Sequence, residues 1–112
     1  MKKLEIIIRT SKLNSVKAAL ETLGVHGMTI IEVKGYGRQR GHKEVYRGAT
    51  LESQFVPKTQ INILVHDEGL KSVLDAAIAA AQTGELGDGK IAILPVEDVI
   101  RIRTGERGDT AL

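Results

Sequence analysis

Apolar residues recur along this chain with two different periods, and the switching between them lays out its elements. Leu4, Ile6 and Ile8 alternate with Glu5 and Ile7 and end at Arg9, which predicts a strand apolar on both faces at its centre. Leu13, Val16, Leu20 and Leu23 then recur at spacings of three and four, the pattern of a helix with one buried face. Ser11 or Asn14 is its expected N-cap, and Gly24 its stop. "MTIIEVKG" predicts a second strand, and alternation resumes only at "TQINILVH", a third. Leu70, Val73, Leu74, Ala77, Ile78 and Ala81 mark one face of a second helix, which the glycine-rich "TGELGDGK" ends. "IAILP" gives a fourth strand and "VIRIRT" a short terminal one before a polar tail.

The order is βαββαβ with one short strand added, an α+β arrangement of the ferredoxin-like kind in which two helices cover one face of an antiparallel sheet. The chain is read as a single domain over residues 1–112. Between the second and third strands, where a turn of a few residues would suffice, lies a long stretch of about residues 37–57 with no core pattern. Unstructured connections longer than roughly 12 to 15 residues are uncommon in compact domains and are usually functional or disordered. From Arg38 to Lys58 five Lys or Arg face Glu44 and Glu52, with few apolar groups, so the free stretch buries too little to be rigid.

Composition narrows the classes. A length of 112 residues permits one modest core, so burial through self-association would help stability. With no cysteine, disulfides and thiolate chemistry are excluded. His26, His42 and His66 are scattered and make no metal-ligand spacing. The start, "MKKLEIIIRTSKL", has too brief an apolar run for a signal peptide or membrane span, which leads to a cytoplasmic expectation. A net charge of +2 favours anionic ligands only weakly, and 3% aromatic residues leaves no stacking platform for RNA, so no nucleic-acid partner is expected.

Two stretches carry candidate chemistry. Gly84, Gly89 and Lys90 in "GELGDGK" satisfy the first seven positions of the pattern GxxxxGK[ST], but Ile91 stands where a magnesium-binding hydroxyl belongs. The flanks also run helix to strand, the reverse of a true P-loop. What survives is a nest of backbone N–H groups beside a lysine, or equally a glycine-rich surface turn. Arg101 and Arg103, two apart on the predicted terminal strand, would share a face and suit a di- or triphosphate, provided that carboxylates do not meet them first. No nucleophile elbow or selected carboxylate pair is present, so an enzyme is not expected.

Taken together, "GMTIIEVKGYGRQRGHKEVYRGA", "FVPK", "TGELGDGKI" and "IRIRTGERGDTAL" resemble the PII signal-transduction proteins, in order and over essentially the whole chain. The resemblance implies a non-enzymatic homotrimer that binds ATP or ADP in clefts between subunits and senses 2-oxoglutarate together with Mg-ATP. It implies that the long stretch is an effector loop contacting an ammonium transporter or a nitrogen-metabolism enzyme or regulator, with the protein at the membrane when a transporter is its partner. By position, the nucleotide would be held by Gly87, Asp88, Gly89 and Lys90, by Arg101 and Arg103, by Thr29 and Leu64 on the adenine side, and by Gly37 and Arg38 at the loop root. Gln39, through a magnesium ion shared with the phosphates, and Lys58 and Gly87 would hold 2-oxoglutarate. The phosphate-binding loop would span about 83–90 and the C-terminal loop about 101–112.

At the loop tip, Tyr46, Arg47, Gly48 and Leu51 are the implied partner contacts. Leu51 and Ala49 stand where relatives carry a nucleotidylated tyrosine and a phosphorylated serine, so covalent modification is not expected there. The implied control is by ligands alone. The alternatives are an adenylate sensor without a 2-oxoglutarate response, a small nucleotide-using enzyme and an RNA-binding module of the same fold. "RTSKL" and Ala92 also depart from the family pattern, at positions that concern packing.

Overall fold

A computed structural model of the chain describes residues 1–36 and 55–112. Four strands, β1 (Lys2–Arg9), β2 (Thr29–Tyr36), β3 (Phe55–Val65) and β4 (Gly89–Pro95), form one sheet in the order β2-β3-β1-β4. Every neighbouring pair is antiparallel. Helices α1 (Leu13–Thr22) and α2 (Leu70–Ala81) supply the two crossovers, so the expected α+β, ferredoxin-like fold is the one observed.

Alternation decides which sheet face is covered. Leu4, Ile6 and Ile8 of β1 and Ile61, Ile63 and Val65 of β3 are buried, in register as Leu4↔Ile63 and Ile6↔Ile61. Val16 and Leu20 of α1 and Val73, Ala77 and Ala81 of α2 close over them. Burying each large aliphatic side chain contributes roughly 1.5–3 kcal/mol, so this single layer supplies most of the hydrophobic stabilisation. Ile78 lies on the flank of its helix face and stays half exposed. The opposite sheet face carries Glu5, Ile7 and Arg9 of β1 with their partners Asn62, Gln60 and Lys58 of β3, and it is where ionisable groups gather.

The ends of α1 differ from one another in how well they were foreseen. Gly24 adopts φ +84° just past the helix, with Gly24 N–H donating to Glu21 O and Val25 N–H to Leu20 O, the pair of bonds of a Schellman stop. Neither Ser11 nor Asn14 caps the start. A 3-10 turn over Thr10–Lys12 leads into the helix with Lys12 at the cap position and no side-chain cap bond. The tighter turn takes over a cap's task of starting the helix.

Three boundaries shift. β3 begins at Phe55, so Phe55, Val56 and Pro57, expected at the end of the long stretch, pair with Tyr36, Gly35 and Lys34. Pro57 is tolerated because β1 ends at Arg9, opposite Lys58, leaving β3 with a single neighbour at that point. β4 begins at Gly89, so Gly89 and Lys90 belong to the sheet. The expected terminal strand is reduced to one bridge, Ile100↔Arg107, because the chain between them turns back on itself with Gly105 N–H donating to Arg101 O at 2.7 Å.

Candidate functional site

The site is built where β1 ends. Arg9 and Lys58 are directly opposed on β1 and β3, on the face away from the helices, and Lys90 lies on the same face of β4 opposite Ile7. Into this end folds the segment joining α2 to β4, with Gly84, Gly87 and Gly89 all at positive φ. Gly89 has a second constraint, since a Cβ there would fall 1.8 Å from the carbonyl oxygen of Ile7. Only glycine lets β4 enter the sheet so close to β1.

Asp88 organises the segment. Its Oδ2 accepts the backbone N–H groups of Thr83 (2.8 Å) and Gly84 (2.9 Å), and its Oδ1 accepts the Thr83 hydroxyl (2.5 Å) and Arg9 Nε (3.2 Å). These donors, led by the Thr83 hydroxyl, hold the Asp88 carboxyl well below the usual carboxylate range. Arg9 also donates through Nη2 to Leu86 O at 2.7 Å. Lys58 donates through Nζ to the Gly87 carbonyl.

Lys58 is a buried cation, 8% exposed. Burial, and then the neighbouring Arg9, push its pKa down from the ordinary lysine value of 10.5, while Asp88 opposes them. Its stem also lies against Gly35, where a Cβ would approach Lys58 Cγ to 3.2 Å. Arg9, Lys58 and Lys90 outnumber Asp88 and Glu85, the two carboxylates of the segment folded in here, so among the described residues this end of the sheet keeps a surplus of positive charge. An anion with several charges suits it.

The other expected residues lie elsewhere. Leu64 pairs with Lys3, whereas Gly89 pairs with Ile8, so the two points are five residues apart on β1, about 17 Å. Thr29 and Leu64 line an open cleft of about 1220 Å³ at that far end, together with the terminal Ala111 and Leu112. Arg101 belongs with this group, since its Nη2 donates to Thr110 O (3.3 Å) and Leu112 O (3.4 Å). The single chain therefore does not unite the implied phosphate loop with the implied adenine pocket.

The two arginines were expected to share a strand face, and they do not, because residues 102–104 form a turn. Glu106 meets Arg101 Nη1 at 2.9 Å, whereas Arg103 is exposed and forms no ion pair among the described residues. Gly37, Arg38, Gln39, Tyr46, Arg47, Gly48, Ala49 and Leu51 lie outside the described residues. Their roots are placed: β2 and β3 run past Arg9 to Tyr36 and Phe55, whose rings meet at a tilt of 45° with centroids 5.6 Å apart, at the same end as Lys58 and Gly89. Sequence reasoning missed Arg9 and Thr83. Arg9 carried a signal in closing an apolar run with a charge, but nothing in the spacing tied it to Asp88, 79 residues on.

A ferredoxin-like sheet with a charged end and a long segment between β2 and β3 defines a small α+β domain. The family model for nitrogen regulatory protein P-II matches residues 1–106. Over the full length of both chains, the sequence is 54% identical to nitrogen regulatory protein P-II of Nostoc punctiforme and 51% to nitrogen regulatory protein P-II 1 of Escherichia coli K12. A solved structure of Arabidopsis thaliana PII bound to citrate is similar with a TM-score of 0.82 and 40% identity, covering 99% of this chain and 91% of that one. The chain belongs to the P-II family of nitrogen regulatory proteins, which are signal-transduction proteins and not enzymes. Among the described residues, no helix is long and apolar enough to cross a membrane.

Proposed function

We propose that this chain senses adenine nucleotides and 2-oxoglutarate, and passes their state to nitrogen-related partners through residues 37–54. The observation that carries the reading is the buried Lys58 beside three left-handed glycines, at a sheet end with surplus positive charge. A desolvated ammonium is costly unless paired, and a carboxylate is the partner that compensates it best. Lys58 then takes one carboxylate of 2-oxoglutarate, and the backbone of residues 87–89 with Lys90 takes the nucleotide phosphates. The relative solved with citrate, itself a polycarboxylate, supports this ligand class.

The separation between the two halves supports an oligomer in which one copy's Gly87–Lys90 meets another's Thr29, Leu64, Arg101 and Arg103. A homotrimer closes such a head-to-tail contact into a ring. Magnesium would enter with ATP. Asp88 is no ligand for it, since both its oxygens are filled, so the phosphates and Gln39 are left to hold the ion. In this reading the chain is cytoplasmic, and Arg47 at the tip of the long stretch docks on an ammonium transporter, an enzyme or a regulator. ADP permits docking and 2-oxoglutarate opposes it, which requires only that each ligand bind one loop state more tightly.

Calorimetric titration with ADP, with ATP, and with ATP plus magnesium and 2-oxoglutarate tests the reading. Saturable nucleotide binding is expected, with ATP affinity raised by 2-oxoglutarate and the gain abolished in Lys58→Ala. Nucleotide binding indifferent to 2-oxoglutarate would leave the second reading, an adenylate sensor. No nucleotide binding would overturn both.

A further inference from the structure

An aspartate in a phosphate-binding segment is a paradox, because its charge has the wrong sign for the ligand. The geometry resolves it. A carboxylate offers about four lone-pair sites, and in Asp88 four donors occupy them: two backbone N–H groups, the Thr83 hydroxyl and Arg9 Nε. We propose that Asp88 is a positioning residue, which with Arg9 and Thr83 braces the backbone of residues 83–89 in its phosphate-binding shape and does not itself touch the ligand. This inference rests on the nucleotide reading above.

The brace has a definite construction. Thr83 is used twice, donating its hydroxyl to Asp88 and accepting Glu85 N–H at 3.1 Å, so one side chain fixes the start of the turn. Arg9 fastens the turn to β1 at two points, the Leu86 carbonyl and the Asp88 carboxylate. Its charge also offsets that of Asp88, which lowers the repulsion a phosphate would meet.

Lys58 grips the same segment at Gly87 O, but this contact is of a different kind. A carboxylate bound to Lys58 competes with this neutral carbonyl for the ammonium, and the charged acceptor makes the stronger bond. Lys58 is thus the exchangeable tie and Arg9–Asp88–Thr83 the fixed one. The fixed tie keeps the 83–89 backbone in shape while Lys58 changes partner.

The test compares AMP, ADP and ATP binding by the wild type with Asp88→Asn, Thr83→Val and Thr83→Ser. Asp88→Asn and Thr83→Val are expected to weaken ADP about tenfold, or about 1.4 kcal/mol, with a loss that grows from AMP to ATP. Thr83→Ser, which keeps the hydroxyl, should bind as the wild type does. The thermal midpoint of each variant serves as the control for a merely structural defect. Asp88→Asn binding ADP as tightly as the wild type would overturn the brace, as would equal losses for all three nucleotides. A wild type that bound no nucleotide would instead sink the reading beneath. Amide hydrogen exchange then still decides the brace, since Asp88→Asn must speed exchange at Thr83 and Gly84, and unchanged rates would refute it.

Discussion

The two ends of the exposed sheet face are made of the same four strands, yet they behave as opposites. At the Arg9 end, cations, a carboxylate and loop carbonyls bond to one another, and a close backbone approach at Gly89 locks the arrangement. At the Lys3 end, Thr29 and Leu64 border a wide cleft whose wall is completed by the chain's last two residues. One end is finished and charged, the other open. A ligand with a polyanionic part and an apolar part needs both, and about 17 Å of strand separates them, so the proposed function requires recognition to be divided between copies.

Glycine substitutions should sharpen the contrast, with the largest effect at the finished end. Gly89→Ala combines a forbidden contact with a left-handed backbone, and is expected to cost on the order of 3 kcal/mol and to detach β4 locally. Gly24→Ala meets nothing within 4 Å but keeps φ +84°, so about 1 kcal/mol is expected. Gly27→Ala, beside the open cleft and without a positive φ, should stay within about 0.5 kcal/mol. Denaturant midpoints at fixed protein concentration measure all three, and a tolerant Gly89 would remove the distinction between the ends.

A smaller effect is expected from pH. The folded chain lowers the pKa of Lys58 from its ordinary 10.5, so between that lowered value and 10.5 the unfolded chain binds more protons than the folded one. Lys58 therefore makes stability rise with pH across that window, and Lys58→Met should flatten the rise. Over the same window the ammonium loses its charge, so any 2-oxoglutarate response must fade. An identical pH profile for Lys58→Met would show that the burial of this cation carries no energetic weight.

The difference between the ends also explains what was legible in the sequence. Periodicity is local, and it placed four strands and two helices, together with the Gly24 stop. It could not place the start of β4, because Gly89 and Lys90 look like a turn until β1 is brought alongside them. It began β3 only at Thr59, whereas pairing with β2 carries that strand back through Pro57 to Phe55, beyond the end of β1. Arg101 and Arg103 followed a strand-like alternation, but the turn closed by Gly105 separated their roles, giving one to Glu106 and leaving the other exposed. Arg9 was invisible for the same reason that it matters, since its partners lie 77 and 79 residues away. The motif resemblance supplied site residues that spacing alone left undecided between a ligand nest and a surface turn.

Co-assembly tests the division of the site most directly. Lys90→Glu spoils the charged end and Arg103→Glu the C-terminal end, and neither variant should bind ADP by itself. Co-expressed at equal levels and purified as mixed oligomers, they should recover binding at about one site in four, because each site draws an intact half from each of two copies. No recovery, in mixed oligomers shown by mass to contain both variants, would contradict the divided site and require each chain to bind its nucleotide alone.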